Sequence, residues 1–351
     1  MSSLPRELAP RLAHSATIAG AYPILLQFEK SAEYHEDYRR LIYARILGYL
    51  ILEGPSDYAR VAVAQEVVSC EGDEEKLAAC GKLYCDHYIR AFRKHKGRTP
   101  VLSSHPSRPS FDTRKALIIY MLKEAPQSHQ NAKSKALVRD NFSCIASGSV
   151  DLSVAMENAE VQQMVDPRAR PAVETHCTHI FAESPNESIS GNREGSDKHQ
   201  YAASIWAIMD RFGYKHLPSD LNGANIHRLE NILTLQSDIR NSFDRLNLWF
   251  EPIDTPNTYN IRWKCDWLAL PYARTTVTFT SSDLEKLPLP SPEYLQIHAA
   301  CAKVAHLSGA GDYIDKVLRD LEDTQVLSED GASADLLEHA LLPLSEDIQL
   351  F

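Results

Sequence analysis

The stretch that decides the fold lies at residues 230–252, ENILTLQSDIRNSFDRLNLWFEP. Asn231 stands ahead of an apolar run, and its side chain either bonds backbone groups that fix a loop or caps a local turn. Within SDIRNSFDRL, Ser237 with Arg240 and Ile239 with Phe243 have the spacing of a helical turn beginning at Ser237. That turn places Arg240 and Asp244 on one face, where an i,i+4 ion pair is the simplest expectation. LNLWFEP then takes on strand composition until Pro252 stops it. Together with the preceding LNGANIHRL, the chain is expected to pass from loop to helix and back to strand in a short span.

Working outward, VETHCTHIFA carries Val173, Thr175 and Ile180, which favour strand, and it contains His176, Cys177, Thr178 and His179. In a strand, His176 and His179 are three apart and face opposite sides, so they make poor ligands for one metal. His179 alone suits a general base, because neutral imidazole takes a proton from water near physiological pH. The bland alternative is a histidine that is simply packed or exposed. Further upstream, LVRDNFSCIASG is short and turn-rich, with Gly148 placed for a tight turn. DLSVAMENAEVQQMV follows as a small helix or loop insertion. Between His179 and Asn231 lie a polar loop at 186–199 and HQYAASIWAIMDRFG, a helix with Ala203, Trp206, Ala207 and Phe212 as core candidates.

Three of these runs, LVRDNFSCIASG, CTHIFAES and ENILTLQSDIRNSFDRLNLWFEP, resemble the HNH endonuclease domain found in many fungal proteins, and more broadly the ββα-metal nucleases. The C-terminal YLQIHAACAKVAHLSGAGDYIDKVLRDLED is similar to the tail of the same family. The resemblance covers about residues 137–251, interrupted by a long insertion between His179 and Asn231. In such nucleases the His ending the first strand activates water, an Asn supports the loop, and a His on the helix binds a divalent cation. His179 matches the first His, Asn231 the Asn, and Phe243 and Asp244 the Phe-Asp ending of the family pattern.

Arg240 stands where the helix His is expected. A guanidinium is always protonated and offers no acceptor, so it cannot replace a ligating imidazole, though it suits phosphate charge. Thr178 stands where better-studied members place a metal-binding Asp; its hydroxyl can coordinate but brings no charge. The resemblance thus implies a Mg²⁺ or Mn²⁺ site using Asp244 and Thr178, with Asp238, His227 and His176 as further candidates for the missing ligand. It implies metal-dependent hydrolysis of DNA phosphodiester bonds with His179 and Asn231 as catalytic residues. The departure at Arg240 keeps open a non-catalytic HNH-like module that binds nucleic acid or protein.

The whole chain sets the frame. At 351 residues, with 44% hydrophobic and 24% charged residues, it has the composition of a globular protein able to bury a substantial core. The expected fold class is α+β: a central HNH-like ββα-metal domain with insertions at 126–275, flanked by mainly helical regions at 1–125 and 276–351. No apolar stretch suggests a membrane span, and the N-terminal residues lack a secretory pattern, so an intracellular location, nucleus or cytoplasm, is expected. Seven cysteines without a C-x-x-C pattern are expected to be small buried hydrophobes rather than a disulfide scaffold or zinc knuckle. Cys144 in particular is expected to be packed rather than reactive.

A net charge of -10 is a poor global match to a nucleic-acid binder, so any DNA contact must use a local patch. Arg93, Lys94, Lys96 and Arg98 form one basic run, which is expected either to bind phosphate or to be a solvated helix end. His298 and His306 are expected to be packing or surface residues, and Trp206, Trp249, Trp263 and Trp267 to be core or interdomain anchors. The acidic, helix-rich flanks could instead carry a protein partner, in a wholly helical regulatory or scaffold role.

Overall fold

The computed structural model describes residues 1–93, 129–182, 197–272 and 274–323. After one short helical turn at Pro10–Ala13, four longer helices follow: α1 (Ala16–Tyr34), α2 (Tyr38–Glu53), α3 (Asp57–Ser69) and α4 (Glu74–Tyr84). Each starts on a side-chain oxygen, from Ser15, Asp37, Ser56 and Asp73, that accepts an otherwise orphaned first-turn amide. Pro23 lies inside α1. The chain breaks between α1 and α2, where Glu36 sits at φ 53° and Asp37 caps anew. Gly54 ends α2 as its composition suggests.

The central part begins with α5 (His129–Arg139). A short parallel pair follows, β1 (Val150–Asp151) with β2 (Ala172–Val173). Next, β3 (Thr175–His179) pairs antiparallel with β4 (Ile232–Gln236), so that Thr178 lies opposite Leu233 and His179 opposite Ile232. Between them runs α6 (Asp197–Arg211), which takes in the end of the segment expected to be loop. Helix α7 (Ser237–Asp244) follows β4 without an intervening loop. The β4 strand corrects the sequence expectation of loop leading into helix: it has five residues, all buried, and a run that short shows no periodicity of its own. A three-stranded antiparallel meander completes the β structure, with β5 (Leu248–Pro252), β6 (Thr258–Trp263) and β7 (Thr276–Thr278). The described chain ends in α8 (Pro292–Ser308) and α9 (Ala310–Asp323). The described fold is thus mixed, with small open sheets flanked by helices.

The β3–β4 pair is covered on both faces. Cys177 and Ile232 pack with Ala132 and Ala136 of α5 on one side. Leu233 and Leu235 join Ile239 and Phe243 of α7 in the main core on the other. That main core runs from Leu4 to Ile314 and draws on all three expected regions of the chain. Phe243 stacks on the buried His298 ring of α8, centroids 3.8 Å apart and planes 6° apart, which docks α7 onto the C-terminal helix.

LVRDNFSCIASG staples the outer edge of β4. The buried Arg139 guanidinium donates to the Leu229 carbonyl at 2.7 Å and the Ile232 carbonyl at 2.8 Å, and forks onto Asp140 at 2.7 and 2.9 Å. Asp140 in turn accepts from the Thr234 amide at 3.3 Å, and the Ile145 amide donates to the Thr234 carbonyl at 2.9 Å. Gly148 makes the tight turn at φ 78°, and its amide donates to the Cys144 carbonyl at 2.8 Å. A side chain at that φ would be strained whatever its surroundings.

Two expectations need correction. Arg93 is buried rather than solvated, donating to the Gly311 carbonyl and pairing with Asp315 of α9. Trp267 is 67% exposed and anchors no core. The seven cysteines are free thiols; all are buried except Cys265, which is half-buried. His298 is buried and His306 half-buried, the latter's pKa held below the ordinary value by burial and by the nearby Lys264. Lys94, Lys96, Arg98 and most of the polar loop at 186–199 lie outside the described residues.

We expect Arg139→Ala to cost about 3–5 kcal/mol, because it strands the Asp140 carboxylate without its partner. Urea unfolding followed by circular dichroism checks this, and a loss below about 1 kcal/mol would mean that the staple is dispensable.

Candidate active site

Strand pairing brings His179 and Asn231 to the same end of β3–β4. His179 is the last residue of β3 and Asn231 immediately precedes β4. The ladder runs one step further, since the Ile180 amide donates to the Asn231 carbonyl at 2.8 Å. The Asn231 side chain is fully buried. Its Oδ1 accepts from the Phe181 amide at 2.8 Å, while its Nδ2 donates to the Phe181 carbonyl at 3.1 Å and to the Ile226 carbonyl at 2.9 Å. Of the two roles open to Asn231 in the sequence, it takes the loop-fixing one: it ties the exit from β3 to the turn before β4.

That turn carries His227. Its Nδ1 lies 3.1 Å from Nε2 of His179, with ring centroids 5.2 Å apart and planes inclined at 61°. Both rings are buried, His179 to 3% exposure. In the sequence His227 was a candidate substitute ligand; the structure makes it the neighbour of the candidate base. The available signal was its place four residues before Asn231, close enough for one amide to position both the turn and the strand exit.

Alternation along β3 puts His176 and Thr178 on the face opposite His179, the one that α7 covers. His176 Nε2 lies 2.9 Å from the Ser237 hydroxyl, at the start of α7. Its pKa is lowered first by burial and then by the Arg240 charge. Thr178 is fully buried, and its hydroxyl finds no hydrogen-bond partner among the described residues. On α7, Arg240 Nε donates to Asp244 Oδ2 at 3.4 Å, the i,i+4 pair that the spacing suggested. Asp238 is engaged elsewhere: it accepts from Gln236 Nε2 at 2.8 Å, from the Ile239 amide at 2.9 Å and from the Tyr272 hydroxyl. Burial pushes the Asp238 carboxyl up, but these hydrogen bonds outweigh it and hold it below the ordinary carboxylate value. Tyr272 could not have been found from spacing, because it comes from beyond β6.

The donor set around Thr178 and α7 does not fit a resident divalent cation. Thr178 offers a neutral hydroxyl, Arg240 a fixed positive charge with no lone pair, and the Asp244 carboxylate is engaged by Arg240. Among the described residues, no three His, Cys, Asp or Glu side chains gather to hold a metal. The arrangement supports a different set of chemical roles: an imidazole held at a strand end, and a guanidinium on the following helix able to meet phosphate charge.

No family model matches this chain, and neither the curated proteins nor the solved structures provide a match.

Two expectations follow from the site. Asn231→Ala should lower stability by about 1–3 kcal/mol, because it leaves the Phe181 amide and buried carbonyls unpaired. Hydrogen exchange should show the Phe181 amide losing protection before the rest of β3, and unchanged protection there would refute the clamp. Arg240→Gln should raise the His176 pKa only in part, since burial, the larger cause, remains. With its folded pKa below the unfolded value, His176 adds stability that is full above about pH 6.5 and is lost as pH falls. Histidine-detected NMR titration of parent and variant measures both points.

Proposed function

We propose that β3, β4 and α7 form an HNH-like ββα unit directed at the phosphodiester backbone of DNA, in a protein that works inside the cell. The observation that carries this reading is Asn231, whose buried amide joins the strand ending in His179 to the turn preceding the second strand, directly before the helix bearing Arg240. His179 is the general base: it takes a proton from a water whose oxygen attacks phosphorus, one P–O bond breaks, and the leaving oxygen takes a proton from solvent. Arg240, borne by the helix on the opposite face of the strand pair, meets negative charge elsewhere on the DNA backbone and not on the phosphate that His179's water attacks. Mg²⁺ or Mn²⁺ is not built into this arrangement, so any requirement for an ion would point to one that arrives with the DNA.

A second reading has its own support. The Arg240–Asp244 pair and the 3% exposure of His179 favour a non-catalytic HNH-like module that binds nucleic acid or protein and cuts nothing. In that case Arg240 already occupies the position from which the family's helix ligand would act.

Nicking of supercoiled plasmid by the purified full chain separates the two, with Mg²⁺, with Mn²⁺ and with chelator. The nuclease reading expects cleavage that falls about 100-fold or more in His179→Ala. Cleavage surviving chelator shows that no divalent cation is required. No cleavage by folded parent in any condition refutes the nuclease. The binding module then expects salt-sensitive DNA retention in a mobility-shift assay that Arg240→Ala weakens.

A further inference from the structure

Residues 2–5, Ser-Ser-Leu-Pro, belong to no helix or strand, yet helices hydrogen-bond their backbone at every residue. The Ser2 amide donates to the Leu307 carbonyl of α8 at 2.8 Å, satisfying one of the carbonyls left over in that helix's last turn. The Tyr49 hydroxyl of α2 is shared between the Ser2 carbonyl at 3.2 Å and the Ser3 carbonyl at 2.8 Å. The Leu4 amide donates to both carboxylate oxygens of Glu29 in α1, at 3.1 and 3.3 Å, and the Tyr22 hydroxyl donates to the Pro5 carbonyl at 2.7 Å. One side chain enters among these main-chain contacts: Leu4 is 5% exposed, while Ser2, Ser3, Pro5 and Arg6 are all exposed. Leu4 lies on Gly48 of α2, where an added Cβ would overlap its methyl groups.

We propose that the groove between α1, α2 and the end of α8 is a recognition site for a Ser-Ser-Leu-Pro peptide segment, filled in cis by residues 2–5 and open to a separate peptide of that chemistry when this strap is displaced. The polar lining is fixed from behind. Arg45 Nε donates to Glu29 at 2.5 Å, Arg45 also reaches Glu33 at 2.7 Å, and Glu29 and Arg45 are both buried. A buried ion pair is a poor source of stability by itself, but this one holds a carboxylate facing the Leu4 amide and brings the guanidinium within 3.2 Å of the Ser3 hydroxyl. Main-chain bonds thus supply affinity, and the Gly48 floor with the Arg45 contact supplies specificity for leucine preceded by serine. Pro5 favours extended backbone at Leu4, which lowers the cost of ordering the segment. Only residues 6–15, with the short helical turn at Pro10–Ala13, tether the strap to α1, so its effective concentration at the groove is on the order of millimolar. A free peptide therefore competes against a tethered copy of itself.

The test uses the full chain with a site-specific protease sequence inserted between Arg6 and Glu7, both exposed, so that the protein folds before it is cut. After cleavage and gel filtration, a peptide of residues 1–8, MSSLPREL, labelled at its C-terminus, is titrated by fluorescence anisotropy. It should bind the cut protein about 10- to 100-fold more tightly than the uncut one. A Leu4→Asp peptide should not bind, and Gly48→Ala, which suits the interior of α2, should abolish peptide binding to cut protein without loss of helical circular dichroism. Equal affinity in cut and uncut protein, no binding to cut protein that keeps its circular dichroism, or equal binding of the Leu4→Asp peptide overturns the proposal. Hydrogen exchange reads the same contact with no cut: millimolar peptide should speed exchange of the tethered Leu4 amide in the parent, and an unchanged rate overturns displacement. Dimers of uncut protein that the peptide dissociates would support the site, with residues 2–5 of a second copy as its occupant.

Discussion

A buried primary amide has to be satisfied where it stands, and Asn231 is the group on which the candidate site depends. Fully removed from water, it can keep neither donor nor acceptor idle without a cost of about 1–3 kcal/mol for each lost partner. Its bonds reach both sides of the long insertion, to Phe181 after β3 and to Ile226 before β4. The segment between those ends also packs on the site, since Trp206 of α6 lies against Phe181 with ring centroids 5.9 Å apart. Everything downstream inherits that register. β4 starts at the next residue, α7 starts where β4 stops, and a one-residue slip would turn Thr178 and His179 to the wrong faces.

The frame around that amide is stiffer than a two-stranded sheet would be alone. An isolated pair of strands is marginal in water, but here one face lies on α5, the other on α7, and the outer edge is held by Arg139 and Asp140. Arg139 supports β4 from its side chain, which avoids exposing a third unpaired strand edge. The Phe243–His298 stack carries the same rigidity into α8. Side chains from the N-terminal helices, the central sheets and the C-terminal helix all enter one core, so the position of α7 is set by distant parts of the chain as well as by β4.

What was legible in the sequence was local. The helical turn beginning at Ser237, the Arg240–Asp244 pairing and the turn at Gly148 all depend on residues within a few positions of each other, and all are present. β4 was not legible because ILTLQ is buried on every side, and a run with no exposed face has no alternation to read. His227 was legible as a histidine near Asn231 but not as a partner of His179, since that contact spans 48 positions and is made by the fold. Arg93 misled for the opposite reason. A basic run suggests solvent, yet a single guanidinium can be buried when a distant helix supplies a carbonyl and a carboxylate.

Under the HNH-like reading proposed above, an arginine at 240 in place of a histidine changes more than one ligand. A divalent ion held by imidazole and carboxylate can leave, and with it the charge that steadies a phosphate in the transition state. A guanidinium stays charged at every accessible pH, and its side chain cannot dissociate. A site organised around Arg240 would therefore bind phosphate without waiting for metal. It also faces a constraint that a metal site lacks: the carboxylate of Asp244, one turn away, competes with phosphate for the same fork. At 3.4 Å through Nε alone, with Arg240 34% exposed, that pair is long and partly solvated, so a phosphate dianion or diester can displace it at modest cost. Under the reading proposed above, that competition would make Asp244 a gate on Arg240. It would keep the guanidinium oriented along α7 when no phosphate is present, and yield when a stronger, bidentate partner arrives.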